Sequence, residues 1–148
     1  SWFRIFEALQ KKPELLHEFA SNPHKFEEFI AATYKQDGWD EVILTPRSGD
    51  KGRDVIAVKN GFGSIRFLEQ AKAYSKGHLV THDEVSAMLG VLQTDTNSSK
   101  VLVTTTSDFQ PEILSGDRFK ALMPHRLELK NGSQLLKWLN DIAKRDKR

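Results

Sequence analysis

Residues 53–74 read Arg53-Asp54-Val-Ile-Ala-Val-Lys-Asn60-Gly-Phe-Gly63-Ser-Ile-Arg-Phe-Leu-Glu69-Gln70-Ala71-Lys72-Ala-Tyr74. Two short apolar runs, 53–58 and 65–72, flank Asn60-Gly61-Phe62-Gly63, whose composition is that of a hairpin turn. With Gly61 to Gly63 as the loop, Asn60 pairs with Ser64 and Asp54 falls opposite Gln70. Side chains alternate along a strand, so Gln70 and Lys72 point one way while Glu69 and Ala71 point the other. An acid, an amide and an ammonium then converge on one face of an apolar hairpin. Such a set is suited to gripping a cation and a phosphate.

At these residues the sequence resembles the Mrr-like branch of the PD-(D/E)xK nucleases, the fold of type IV restriction endonucleases. That branch carries Gln-x-Lys where most relatives carry an acid before x-Lys. Here the match is Gln70-Ala71-Lys72, with Asp54 as the upstream acid. The likeness extends over roughly residues 25–143. It takes in Phe26-Glu27, Gly38-Trp39, Ser48 to Asp54, Leu89-Gly90, Val103 to Thr106 with Phe109, and Leu127 to Gly132. The resemblance implies an α/β fold, a three-layer α/β/α restriction-endonuclease-like domain with a central mixed β-sheet. It also implies a metal-dependent DNA endonuclease of the restriction and defence type, with Mg²⁺ as cofactor (Mn²⁺ able to substitute) and double-stranded DNA as partner.

The pattern along the rest of the chain agrees with layers of helix and strand. Helical segments are expected at 2–10, 13–20 and 24–36, a strand at 42–45 and a polar, basic loop at 46–52. After the hairpin, Asp83 is the expected cap of a helix through Leu92, and Val101 to Val103 is an apolar, buried strand. Ser107 or Asp108 would cap a helix over 111–122. Leu127 and Leu129 mark a last strand, and Ser133 would cap the final helix. The expected organisation is a helical extension at 1–22, the nuclease domain at 23–143 and a basic tail at 144–148.

Composition sets wider bounds. At 148 residues the chain suits one domain with its own core. There is no cysteine, which excludes disulfides and Cys-based zinc sites, and the five histidines lack metal-ligand spacing. No apolar run is long enough to span a bilayer and no signal-peptide pattern appears, so no membrane role and a cytoplasmic location are expected. A net charge of +2 leans only weakly toward anionic partners. The chain opens on Ser1 rather than Met, and the expectation is a piece of a longer protein with an additional domain. Cutting both strands would call for a homodimer or two successive nicks.

Within the resemblance, Asp54, Gln70, Lys72 and Glu27 are the candidate catalytic residues. Asp54, Gln70, the Ala71 carbonyl and Glu27 are the candidate metal ligands. Asp54 would hold the ion, and Lys72 would meet the scissile phosphate and the attacking water. A neutral Gln70 removes a negative charge, which orienting a metal-bound water or recruiting Glu27 would offset. Helix spacing favours Glu27 over Glu28: Glu27 aligns with Ile30, Ala31 and Tyr34 beside the apolar stripe, whereas Glu28 aligns with Ala32 and Lys35. Arg47, Lys51, Arg53 and Lys76 are the candidate DNA-backbone contacts.

Plainer alternatives stand beside these. Asp54 is also a common turn residue, and Lys72 a common edge-strand charge that blocks aggregation. Glu27 would suit a helix N-terminus in any case. Glu69 is expected to face solvent or to be ion-paired. Trp39 and Trp138 read as packing, and Thr104 to Thr106 as either a ligand-facing strand end or packing. The competing function is a nuclease-fold module that binds DNA without cutting it; a purely protein-binding domain is a third.

Overall fold

The computed structural model describes residues 1–46 and 52–146. Five strands form one sheet in the order β1 (Glu41–Leu44), β2 (Val55–Gly61), β3 (Gly63–Lys72), β4 (Lys100–Thr105) and β5 (Leu127–Lys130). β1 to β3 pair antiparallel, whereas β3, β4 and β5 run parallel, so the sheet is mixed. The hairpin register has Asn60 opposite Ser64, as the turn sequence requires, and the ladder ends at Val55 opposite Glu69. The turn is tighter than expected: Gly61 pairs with Gly63 and leaves Phe62 alone at the tip. Gly63 adopts a φ of 105°, which explains a glycine there.

Alternation along these strands builds two cores. Val55, Ala57 and Ala71 face α1 (Trp2–Lys11), α2 (Pro23–Gln36) and α6 (Gly132–Asp146). Ile56, Leu68, Val101 and Val103 face α3 (His82–Thr94), α4 (Pro111–Ser115) and α5 (Asp117–Lys120). This is the three-layer α/β/α arrangement expected. Pro13–Ser21 forms a 3₁₀ helix between α1 and α2. Trp39 and Trp138 pack as anticipated, both edge-on to Tyr34.

Several local boundaries differ from expectation. α3 begins one residue before Asp83 and is capped by Thr81, whose hydroxyl takes the Glu84 N–H while the Glu84 side chain takes the Thr81 N–H. The segment 111–122 is two short helices separated by Gly116, not one, and neither Ser107 nor Asp108 caps it. α6 begins at Gly132, so Ser133 lies inside it, and the Gln134 N–H goes to the Asn131 side chain. α6 also continues to Asp146, with Arg145 paired to Asp37 at 2.7 Å, so residues 144–146 are helix rather than tail.

Glu69 does not face solvent. It is fully buried on the α2 side of the central strand, where it accepts the Tyr34 hydroxyl at 2.9 Å. Burial pushes its carboxyl up to about 7, against the charge of Lys130 and the hydrogen bond from Tyr34, which favour ionisation. Lys130 is itself held below its ordinary range by burial and lies 3.8 Å from the Trp138 ring centroid.

Candidate active site

The site forms where β2 begins and β3 ends. Asp54 lies one residue before β2 and is 8% exposed. Its backbone N–H donates to the Glu69 carbonyl at 2.9 Å, continuing the hairpin past the last ladder pair. Its carboxylate accepts the backbone N–H of Ala71 at 2.8 Å. The acid is thereby fastened to the residue between Gln70 and Lys72.

Gln70 and Lys72 share the face that Asp54 occupies. The Gln70 amide donates to the Gly52 carbonyl at 3.2 Å, which turns its own oxygen away from that carbonyl. Lys72 belongs to β3, the middle strand of five, so it is not an edge-strand charge. Its backbone carbonyl is braced by β4: the Thr105 hydroxyl donates to it at 2.8 Å and the Thr106 N–H at 3.2 Å. The Thr106 hydroxyl in turn takes the Tyr74 N–H at 2.7 Å and donates to the Tyr74 carbonyl at 2.6 Å. Thr105 and Thr106 therefore shape the strand end by bracing its backbone.

Glu27 arrives from the opposite layer. It projects from the first turns of α2, 3.2 Å from the His24 ring nitrogen, and shares a cleft of about 300 Å³ with Pro23, Asp54, Gln70, Ala71, Lys72 and Tyr74. All four candidate catalytic residues thus line one recess. Its oxygen donors are two carboxylates, one amide and backbone, a hard set suited to a small divalent cation that keeps several waters. Among the described residues no three of His, Cys, Asp and Glu cluster as metal ligands. An ion here would therefore rely on neutral oxygens to complete its shell.

Comparison with known proteins identifies the family. A family model for restriction endonucleases, Mrr_cat, matches residues 19–139. The chain belongs to the Mrr_cat restriction endonuclease family. No curated protein matches it significantly. Two solved structures resemble this Mrr_cat domain in fold. One is the DNA modification-dependent restriction endonuclease AspBHI, at 20% identity and a TM-score of 0.60, over 95% of this chain and 40% of that one. The other is the MspJI restriction endonuclease in complex with a 27-mer oligonucleotide, at 20% identity and a TM-score of 0.58, over 89% of this chain and 30% of that one. The domain spans less than half the length of either.

Of the residues singled out for DNA contact in the Mrr_cat domain, Arg53 and Lys76 are described. Arg47 and Lys51 lie outside the described residues. Arg53 is half-buried beside Asp54. Lys76 is exposed just past the strand end and lines a neighbouring recess with His17, Ser107 and Ser133. No helix among the described residues is long and apolar enough to cross a membrane.

One residue beside the cleft escaped the sequence reading. Glu84 reaches from the first turn of α3 to within 3.4 Å of the Lys72 ammonium and accepts the Tyr74 hydroxyl. Burial works against its charge, but the bonds from Tyr74 and Thr81 and the charge of Lys72 prevail and hold its carboxyl below the ordinary range. The Tyr74 phenol is pushed up by burial and by Glu84. The signal was present as Thr81-x-x-Glu84 ahead of an apolar helix, the pattern of a capping box.

Proposed function

We propose that this domain hydrolyses phosphodiester bonds in double-stranded DNA with Mg²⁺ as cofactor, Mn²⁺ substituting, and that it acts on foreign DNA in the cytoplasm. The observation that carries the reading is the convergence of Asp54, Gln70, Lys72 and Glu27 in one cleft at the end of the central strand. Asp54, the Gln70 amide oxygen, the Ala71 carbonyl and Glu27 are the residues that would hold the ion. When bound, it would polarise the phosphoryl group and lower the pKa of a coordinated water.

The chain's own residues do the remaining work. The Lys72 ammonium would meet developing negative charge on the phosphate. Arg53 and Lys76, with Arg47 and Lys51, would track the DNA backbone without reading sequence. A further domain in the full-length protein and pairing of two copies would supply target choice and a second cut. The domain limits that fit this reading are residues 23–143, with 1–22 as a helical extension.

The test is cleavage of duplex DNA across a Mg²⁺ and Mn²⁺ titration. Cleavage is expected with either ion, and none in Asp54→Ala or Lys72→Ala. Equal cleavage in excess chelator would remove the metal from the reading. Salt-dependent DNA binding with no cleavage at any ion concentration would leave a binding module, a reading that the neutral Gln70 favours.

A further inference from the structure

We infer that Glu84, delivered by the capped end of α3, is a positioning residue that holds the Lys72 ammonium and the Tyr74 phenol at the cleft and stands in for the acid that β3 lacks at Gln70. The inference rests on the nuclease reading for what Lys72 does, but on geometry alone for what Glu84 does to Lys72.

A lysine stem is long and rotamer-rich, so an ammonium at a strand end needs a partner to stay in one place. Gln70, two residues back on the same face, is neutral and its amide nitrogen is engaged with Gly52. Glu84 provides the missing anion from another element. One of its oxygens is tied to α3 by the Thr81 N–H at 2.9 Å and the Thr81 hydroxyl at 3.0 Å. The other faces Lys72 at 3.4 Å and accepts the Tyr74 hydroxyl.

The carboxylate is therefore a bracket with one end in the helix cap and the other at the cleft. Tyr74 is also fixed, by Thr106 at its backbone and by the His78 ring stacked 3.9 Å away at 7°. The other charged or titratable groups toward this corner are Asp54 at the start of β2, Glu27 with His24 on α2, and His78. Both members of the Lys72–Glu84 pair remain about a fifth exposed, and pairs of that kind add little stability. Its consequence is placement.

Two variants separate placement from capping. Glu84→Gln keeps an oxygen for Thr81 but turns a donor toward Lys72 and Tyr74, breaking the bracket and sparing the cap. Thr81→Ala weakens the cap and leaves the Lys72 contact. The measurements are kcat and KM on duplex DNA at saturating Mn²⁺, together with the NMR order parameter of the Lys72 side-chain methylene next to the ammonium. Glu84→Gln is expected to lower kcat on the order of 10- to 100-fold with KM unchanged, the scale of a misplaced group, and to make the Lys72 methylene mobile. Thr81→Ala is expected to lose stability while keeping kcat. An unchanged Lys72 order parameter in Glu84→Gln overturns the inference, as does an equal kcat loss in Thr81→Ala. If the unmodified domain cuts no DNA with either ion, the nuclease reading falls and the Lys72 order parameter alone decides the inference.

Discussion

The carboxylate of Asp54 accepts the backbone N–H of Ala71 at 2.8 Å, so one acid both closes the hairpin and fixes the strand segment that presents Gln70 and Lys72. Both groups are buried, and an amide N–H left without a partner there costs about 1–3 kcal/mol. Asp54→Ala should therefore lose cleavage and also shift the urea midpoint downward. Asp54→Asn keeps an oxygen for the Ala71 N–H and should retain most of the stability while losing cleavage with the charge. A native midpoint in Asp54→Ala would mean that this bond contributes nothing to the fold.

The second prediction concerns the neutral member of the site. Replacing Gln70 by Glu adds a negative charge beside Asp54, and the divalent-ion concentration for half-maximal cleavage should fall about tenfold, the effect of roughly 1.4 kcal/mol. The change has a cost, because the Gln70 amide donates to the Gly52 carbonyl and a carboxylate would meet that oxygen without a proton. Tighter ion dependence with a lower melting temperature is the expected combination. Unchanged ion dependence, read from cleavage across a Mn²⁺ titration, would place the ion away from residue 70.

Local pattern made the hairpin legible. Asn-Gly-x-Gly between β-branched runs set the register from Asn60 to Ser64, and alternation then put Gln70 and Lys72 on the face of Asp54. What local pattern could not supply was sheet order. Only the parallel pairing of β3 with β4, some thirty residues on, makes Lys72 central and rules out the edge reading. Glu69 was hidden for the same reason: its partner Tyr34 lies 35 residues away on α2. Glu84 differs, since the capping box that places it was written in the sequence at Thr81 and Glu84, while its contact with Lys72 needed the fold. Gly116 broke the helix expected over 111–122, ending α4 with an extended φ of −76° and ψ of 138°.

Gly132 offers a test of how tightly the strand end is braced. A Cβ there would stand 2.7 Å from the Thr106 carbonyl oxygen, on backbone that has little freedom to yield. Thr106 also holds both polar groups of the Tyr74 backbone. Gly132→Ala should cost about 1–3 kcal/mol in denaturant unfolding, as overpacking does, and should reduce cleavage by more than the stability loss explains. Wild-type stability in this variant would show that the approach of α6 to β4 is loose.

The last prediction is a pH dependence of stability set by Glu69. Its carboxyl is raised from an ordinary 4.5 to about 7 in the folded chain, chiefly by burial. The folded state then holds a proton that the unfolded state releases, so this contribution is complete below pH 4.5 and is lost as pH rises through 7. The span amounts to about 3 kcal/mol at 1.36 kcal/mol per unit, as an order of magnitude. Glu84 has the opposite sign, but its lowered carboxyl acts below pH 4.5, outside this window. Urea midpoints at pH 5, 6, 7 and 8 in chelator should fall steadily for the unmodified chain and much less for Glu69→Gln, which can still accept the Tyr34 hydroxyl. Lys130 loses an anionic neighbour in that variant, which trims the gain at high pH without restoring the slope. Parallel curves for the two proteins would place the titration elsewhere.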